Sequence, residues 1–179
     1  GSLELDDPLV SHIPDFAAAI PVSGTLEGVT IRRLLTHHSG LTTEHDSVIW
    51  DVPHWPTHKE LLKSLDKIQL VLPPDYQRKY SNLAYALLGH LISQITKTRY
   101  TEYIINEILK PLGLTSTVFD RPKSPETDFA TGYARPKPNT TEIRLAPYQH
   151  LSGFDACGQL ISNVKDLSNW VSFFMSTCP

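Results

Sequence analysis

Apolar residues recur at spacings of three and four along much of this chain, and the pattern predicts five helices and one hairpin. The longest helix starts near Ser81 or Asn82, where Leu83, Leu87, Leu88, Leu91, Ile92 and Ile95 form a wide apolar stripe. Before it, Thr30 reads as the N-cap of a helix carrying Ile31, Leu34, Leu35 and His38, with Gly40 as terminator. Thr57-His58-Lys59-Glu60 is a capping box, and Leu61, Leu62, Leu65 and Ile68 line the buried face behind it. A helix over Thr101 to Leu109 carries Ile104, Ile105, Ile108 and Leu109 and is stopped by Pro111. Asn163 caps the last helix, whose Val164, Leu167, Val171 and Phe174 follow heptad-like spacing.

Between Asp128 and Ala146 the period changes. Phe129 to Ala134 and Glu142 to Leu145 read as short strands around the turn-rich Pro136 to Thr140. Leu3 to Pro14 alternates apolar positions around an Asp6-Asp7-Pro8 turn. Pro- and Gly-rich or Trp-rich loops fill the rest. The expected fold is mainly α with a small β hairpin.

With 179 residues and 40% hydrophobic content, the chain holds enough apolar surface for a core. A formal charge of −3 with scattered Lys and Arg offers no nucleic-acid footprint. No apolar run approaches the roughly 20 residues of a membrane span. Cys157 and Cys178 form no metal motif and no disulfide framework, and the helical pattern between them disfavours pairing. Asn139-Thr140-Thr141 is a formal glycosylation sequon, meaningful only in a secreted protein.

Tyr80-Ser81-Asn82 is the chemical feature that stands out. A phenol and a carboxamide two residues apart at a helix entry can point into one cleft, as a base and a substrate-orienting amide. Taken alone, the triplet reads better as a loop tyrosine beside a helix cap. His37 and His38 could be grouped with His45, Asp46, His54 or His58 as metal ligands, but the spacing fits no closed motif. A helix C-terminus favours histidine electrostatically and accounts for the pair without a metal. Trp50 and Trp55 read as packing anchors of a long loop or as lining of a cleft mouth, and Trp170 as core. Arg32, Arg33 and Lys79 read as solvated.

Four segments together resemble the serine β-lactamase-related family, which includes class C β-lactamases, DD-peptidases and family VIII esterases. The first is Leu3-x-Leu5-Asp6-Asp7-Pro8. The second runs from Thr30 through Leu34-Leu35-Thr36-His37-His38-Ser39-Gly40-Leu41. The third runs from Tyr80-Ser81-Asn82 through Tyr85 and Gly89 to Pro111-Leu-Gly-Leu-x-x-Thr117. The fourth is Cys157-Gly158-Gln159-Leu160-x-Ser162 with Asp166-Leu167. The resemblance spans nearly the whole chain. It implies the helical lobe of an α+β β-lactamase/DD-peptidase-like fold, as one partial domain over 1–179. Residues of about 30–127 would be the lobe, and about 128–179 short strands and a returning helix.

The resemblance also implies chemistry. Such enzymes attack a carbonyl with the serine of an S-x-x-K motif and pass through an acyl-enzyme. Tyr80 would move the proton to and from that serine. A free phenol titrates near about 10, so neighbouring lysine ammonium groups would have to lower it. Asn82 would orient the acyl side and the motif lysine. Gly158 and Gln159 would border the substrate, with Gln159 replacing a customary glycine and altering backbone access. No cofactor or metal is implied, and the partner is a small acyl substrate.

Departures are informative. The family's nucleophile is expected some twenty residues before Gly1, and its K-T-G or H-x-G strand after Pro179. Ser64-Leu-Asp-Lys67 and Ser162-Asn-Val-Lys165 match S-x-x-K, but 15 Ser and 9 Lys give ~0.75 chance matches. Ser64 falls mid-helix, and Ser162 sits where a hydroxyl caps a helix. His38 replaces the family's usual Thr. Lys97 stands where Gly commonly ends the long helix, and a left-handed backbone there costs on the order of 1 kcal/mol. The chain is therefore expected to be inactive alone as part of a serine hydrolase or transesterase. The alternatives are a catalytically dead binding module, or a serine supplied by a second polypeptide. An apolar face of the lobe is expected to meet the remainder of the domain or a dimer partner.

Overall fold

Leu83, Leu87 and Leu91 are at most 1% exposed, and the helix that carries them organises the fold. A computed structural model describes residues 3–45, 55–121, 129–135 and 141–177 of the chain. Within these, the long helix α4 spans Asn82–Thr96. It packs against α2 (Ile31–Leu35), α5 (Tyr100–Ile104) and α6 (Asp155–Gly158). Burying each α4 leucine contributes on the order of 2 kcal/mol. Phe16, Leu34, Leu61, Leu65, Ile68 and Phe154 complete the main core around it.

The chain begins with a short helix α1 (Leu9–His12) that the sequence pattern does not announce. Thr30 caps α2 as expected, accepting from the Arg33 N–H at 3.3 Å. That helix ends at Leu35 rather than His38, and His37 itself takes the left-handed backbone at φ 61°. Gly40 is left-handed too, for a second reason: a Cβ there would run into the Leu72 carbonyl. The capping box of α3 (His58–Lys63) is present in both directions, Glu60 N–H to Thr57 Oγ1 and Thr57 N–H to Glu60 Oε2.

Lys97 ends α4 at φ 56°, in the left-handed conformation that a glycine would take there at lower cost. The next helix starts one residue earlier than expected and loosens into a π turn over Ile105–Leu109 before Pro111. The hairpin pairs β3 (Tyr133–Ala134) with β4 (Arg144–Leu145), Tyr133 opposite Leu145. A second, unanticipated pair joins β1 (Ile20–Pro21) in parallel to β2 (Gln69–Leu70). The architecture is mainly α with a small hairpin, as the pattern predicts, and has one further two-stranded sheet among the described residues.

The last helix, α7 (Val164–Thr177), is capped by Asn163 Oδ1, which accepts from the Asp166 N–H at 2.9 Å. Its apolar stripe of Val164, Leu167, Val171 and Phe174 faces outward. Buried instead is Asp166, which accepts from the Ser116 N–H and the Thr117 hydroxyl, each at 2.8 Å. Trp170 is half-buried, against a satellite core of Leu109, Leu114 and Phe119. Neither arginine of α2 is merely solvated: Arg32 grips Asp6 through Nε and Nη2 at 2.8 Å, and Arg33 donates to the Gly28 carbonyl. Trp55 is a packing anchor, against Phe154, with Nε1 donating to Gln149. Trp50, Asp46, His54, Cys178 and the sequon asparagine Asn139 lie outside the described residues.

Candidate active site

The entrance of α4 is built by hydrogen bonds to the loop that follows α2. Ser81 caps the helix, its Oγ accepting from Ala84 N–H at 3.0 Å while donating to the Thr42 carbonyl at 2.7 Å. The Asn82 N–H donates to the Thr43 carbonyl. Lys79 is not free in water: its Nζ donates to Thr43 Oγ1 at 3.0 Å and its N–H to the His37 carbonyl. Two segments about forty residues apart are thereby joined, and the side chains between them are fixed.

On that frame Tyr80 is 49% exposed, and no hydrogen bond engages its hydroxyl among the described residues. Its ring lies 4.5 Å from the His37 ring, which also packs at 5.1 Å against Tyr85. Asn82 is 8% exposed and donates from Nδ2 to Glu44 Oε1 at 2.6 Å. An ionised carboxylate only accepts, so it holds the amide nitrogen on its side and leaves Asn82 Oδ1 as the acceptor. Charge assistance shortens the bond.

Tyr80 and Asn82 border one hollow of ≈380 Å³ together with Gly158, Gln159, Tyr148 and Cys157. The structure thus brings all four sequence-predicted site residues to one hollow. Gly89 makes this possible from below: a Cβ there would come within 2.6 Å of Ala156 Cβ, so only glycine lets α6 and Gly158 approach α4. The Gln159 side chain is a strut of the wall. Its Oε1 accepts from the Leu151 N–H at 2.6 Å, and its Nε2 donates to the Tyr148 hydroxyl at 2.8 Å. Tyr148 in turn donates to Asp120 at 2.8 Å. Burial, then that bond to Asp120, raises its pKa, so this second phenol stays protonated. No sequence signal marks Tyr148, because its partners come from segments far apart in the chain.

Other candidates are excluded by their surroundings. Cys157 faces the hollow, but burial, then the carboxylates of Glu44 and Asp155, push its thiol up to about 12. It is a protonated spectator at neutral pH. Ser64 spends its hydroxyl on the carbonyls of Glu60 and Leu61. Ser162 shares a hydrogen bond with Thr117 Oγ1 at 2.9 Å and does not cap α7. The histidines disperse: His37 meets Tyr80, whereas His58 meets Asp155 at 3.7 Å and His90. Among the described residues no three His, Cys, Asp or Glu side chains are grouped to hold a metal.

The family model described as Beta-lactamase matches residues 1–176. The chain is 29% identical to Beta-lactamase-like protein 2 of Dictyostelium discoideum, across 98% of this chain and 32% of that protein. Its fold resembles a D-stereospecific amidohydrolase from Streptomyces sp. (26% identity, TM-score 0.79, covering 96% of this chain and 53% of that one). It also resembles a class C beta lactamase from Rhodobacter sphaeroides (25% identity, TM-score 0.71, covering 100% and 46%). The chain therefore spans about a third of the length of the Dictyostelium relative.

Proposed function

The chain belongs to the beta-lactamase family, and from that premise we propose that it supplies the phenol-and-amide side of an acyl-transfer cleft. The parent activity is that of a serine hydrolase or transesterase that forms an acyl-enzyme on an ester, amide or β-lactam. Tyr80 transfers the proton of the attacking serine, and Asn82 orients the acyl group through Oδ1. Gly158 and Gln159 present backbone along the acyl chain. The observation that carries this reading is that an unengaged phenol and an amide polarised by Glu44 border the same hollow.

No serine lines that hollow among the described residues. The nucleophile belongs to an S-x-x-K segment outside the motifs of this chain, and the 179-residue chain alone has no acyl-transfer activity. Incubation with a chromogenic cephalosporin, a p-nitrophenyl ester and a fluorophosphonate probe tests this, with no turnover and no labelling expected. Stoichiometric labelling of any serine would overturn it. In the complete gene product, Tyr80→Phe is expected to lower kcat by about 10²–10⁴, the usual contribution of a positioned acid or base. An unchanged kcat there removes Tyr80 from the chemistry. The exposed stripe of α7 is the face on which the rest of the catalytic fold rests.

A further inference from the structure

His37 holds a left-handed backbone at φ 61°, a conformation that costs a side-chain-bearing residue on the order of 1 kcal/mol. That conformation places three of its groups around Tyr80 at once. Its carbonyl accepts from the Lys79 N–H at 2.8 Å, and its Nδ1 accepts from the Ser81 N–H at 3.2 Å. Its ring packs on the phenol ring itself at 4.5 Å. The residues before and after Tyr80 and the Tyr80 side chain are therefore all held by one residue. An Nδ1 that accepts carries no proton, so the imidazole is neutral with its proton on Nε2.

We propose that His37 is a positioning residue that keeps the Tyr80 phenol at the hollow, and that it does so only as a neutral imidazole. Protonation at Nδ1 sets an N–H donor against the Ser81 N–H donor. Of the bonds that tie the α4 entrance to the α2 loop, the one beside Tyr80 is then lost, and the phenol loses that backing. The Ser81 Oγ bond to the Thr42 carbonyl and the Lys79 N–H bond to the His37 carbonyl remain. The site gains an acid-sensitive latch built into its own scaffold. This rests on the reading of Tyr80 as the proton-transferring phenol.

The surroundings keep the latch closed near neutrality. Around the ring stand His38 on its own loop, Arg78, Lys79 and Tyr80 on the segment before α4, and Tyr85 on α4. Tyr85 is itself held, its hydroxyl donating to the Leu35 carbonyl. No carboxylate is hydrogen-bonded or ion-paired to His37 among the described residues. Burial first, then Arg78 and His38, lowers its pKa below the ordinary 6.5. The direction is fixed: the latch opens on acidification, at a pH below that of a free histidine.

NMR on the 179-residue chain reads this without catalysis. The Ser81 amide, the Tyr80 ring and the His37 ring are followed from about pH 8 to about pH 5, across the histidine range. All three are expected to shift along one titration curve with a midpoint below 6.5. His37→Asn tolerates the left-handed backbone and offers a non-titrating acceptor, so Ser81 and Tyr80 should stay at their neutral-form positions throughout. His38→Gln removes one of the charges that depress His37, so the midpoint should move up while Ser81 and Tyr80 still titrate together with the His37 ring. Ser81 and Tyr80 titrating unchanged in His37→Asn, or staying still in the wild type while His37 titrates, overturns the proposal. The wild-type titration decides even if the variant does not fold. Since no turnover is read, loss of the catalytic role of Tyr80 would leave this result standing, and the reverse holds too.

Discussion

At the residue scale, two buried polar contacts explain family motifs that carry no chemistry of their own. Asp166 lies in the fourth motif, yet its carboxylate faces away from the hollow, toward the Ser116 N–H and the Thr117 hydroxyl. It ties α7 to the turn after Pro111, a turn that belongs to the third motif. Asp166→Ala leaves both donors without that acceptor in a buried place, which costs about 1–3 kcal/mol. Asp166→Asn retains one acceptor and should lose less. Urea unfolding of the two variants checks the order, and equal losses would show that the negative charge, which asparagine lacks, carries the contribution rather than the acceptor alone. Glu44 is the counterpart at the hollow: no sequence pattern marks it, yet it fixes which end of the Asn82 amide is presented.

At the element scale, local signals were legible and long-range ones were not. Thr57 and Glu60 satisfy each other within one turn, Ser81 and Asn163 cap their own helices, and Lys97 is left-handed because the chain must leave α4 there. Each outcome depends on neighbours within four residues, which a sequence displays directly. The parallel pairing of Ile20 with Gln69, and the contact of His37 with Ser81, depend on closure of long loops, so no local period encodes them. Of the four candidate site residues, Tyr80 and Asn82 were legible as a phenol and an amide at a helix entry, a reading the family resemblance strengthened. Gly158 and Gln159 were legible only through that resemblance. His37 was readable as a helix-end histidine, and its second use appears only when the two segments meet. Gly89 connects the scales. Gly89→Ala forces its new Cβ against Ala156, so α6 must retreat from α4, at a cost of about 1–3 kcal/mol. Because α6 carries Gly158, the same substitution should perturb the Tyr80 ring resonances. A variant of wild-type stability with unmoved Tyr80 signals would show that α6 packs elsewhere.

At the scale of the whole molecule, α7 inverts the usual arrangement, with its acidic residue inside and its apolar stripe outside. Amphipathicity identifies the apolar face but not what covers it, so the spacing of Val164, Leu167, Val171 and Phe174 was readable while their exposure was not. A stripe of four large side chains on one helix, joined by exposed Met175, leaves contiguous apolar surface open in a chain that spans 32% of its Dictyostelium relative. Val171→Lys with Phe174→Glu distinguishes a docking face from a core. If the stripe is solvent-facing in this chain, the double variant keeps its stability within about 0.5 kcal/mol, as surface changes do. It should also bind less of a hydrophobic dye and sediment as a smaller species than the wild type at high concentration. If the stripe instead packs inside the chain, burying two charges destabilises it by several times that amount, and dye binding rises as the fold loosens. Dye binding therefore falls with stability kept under the first arrangement and rises with stability lost under the second, and one denaturation series with one fluorescence titration separates them.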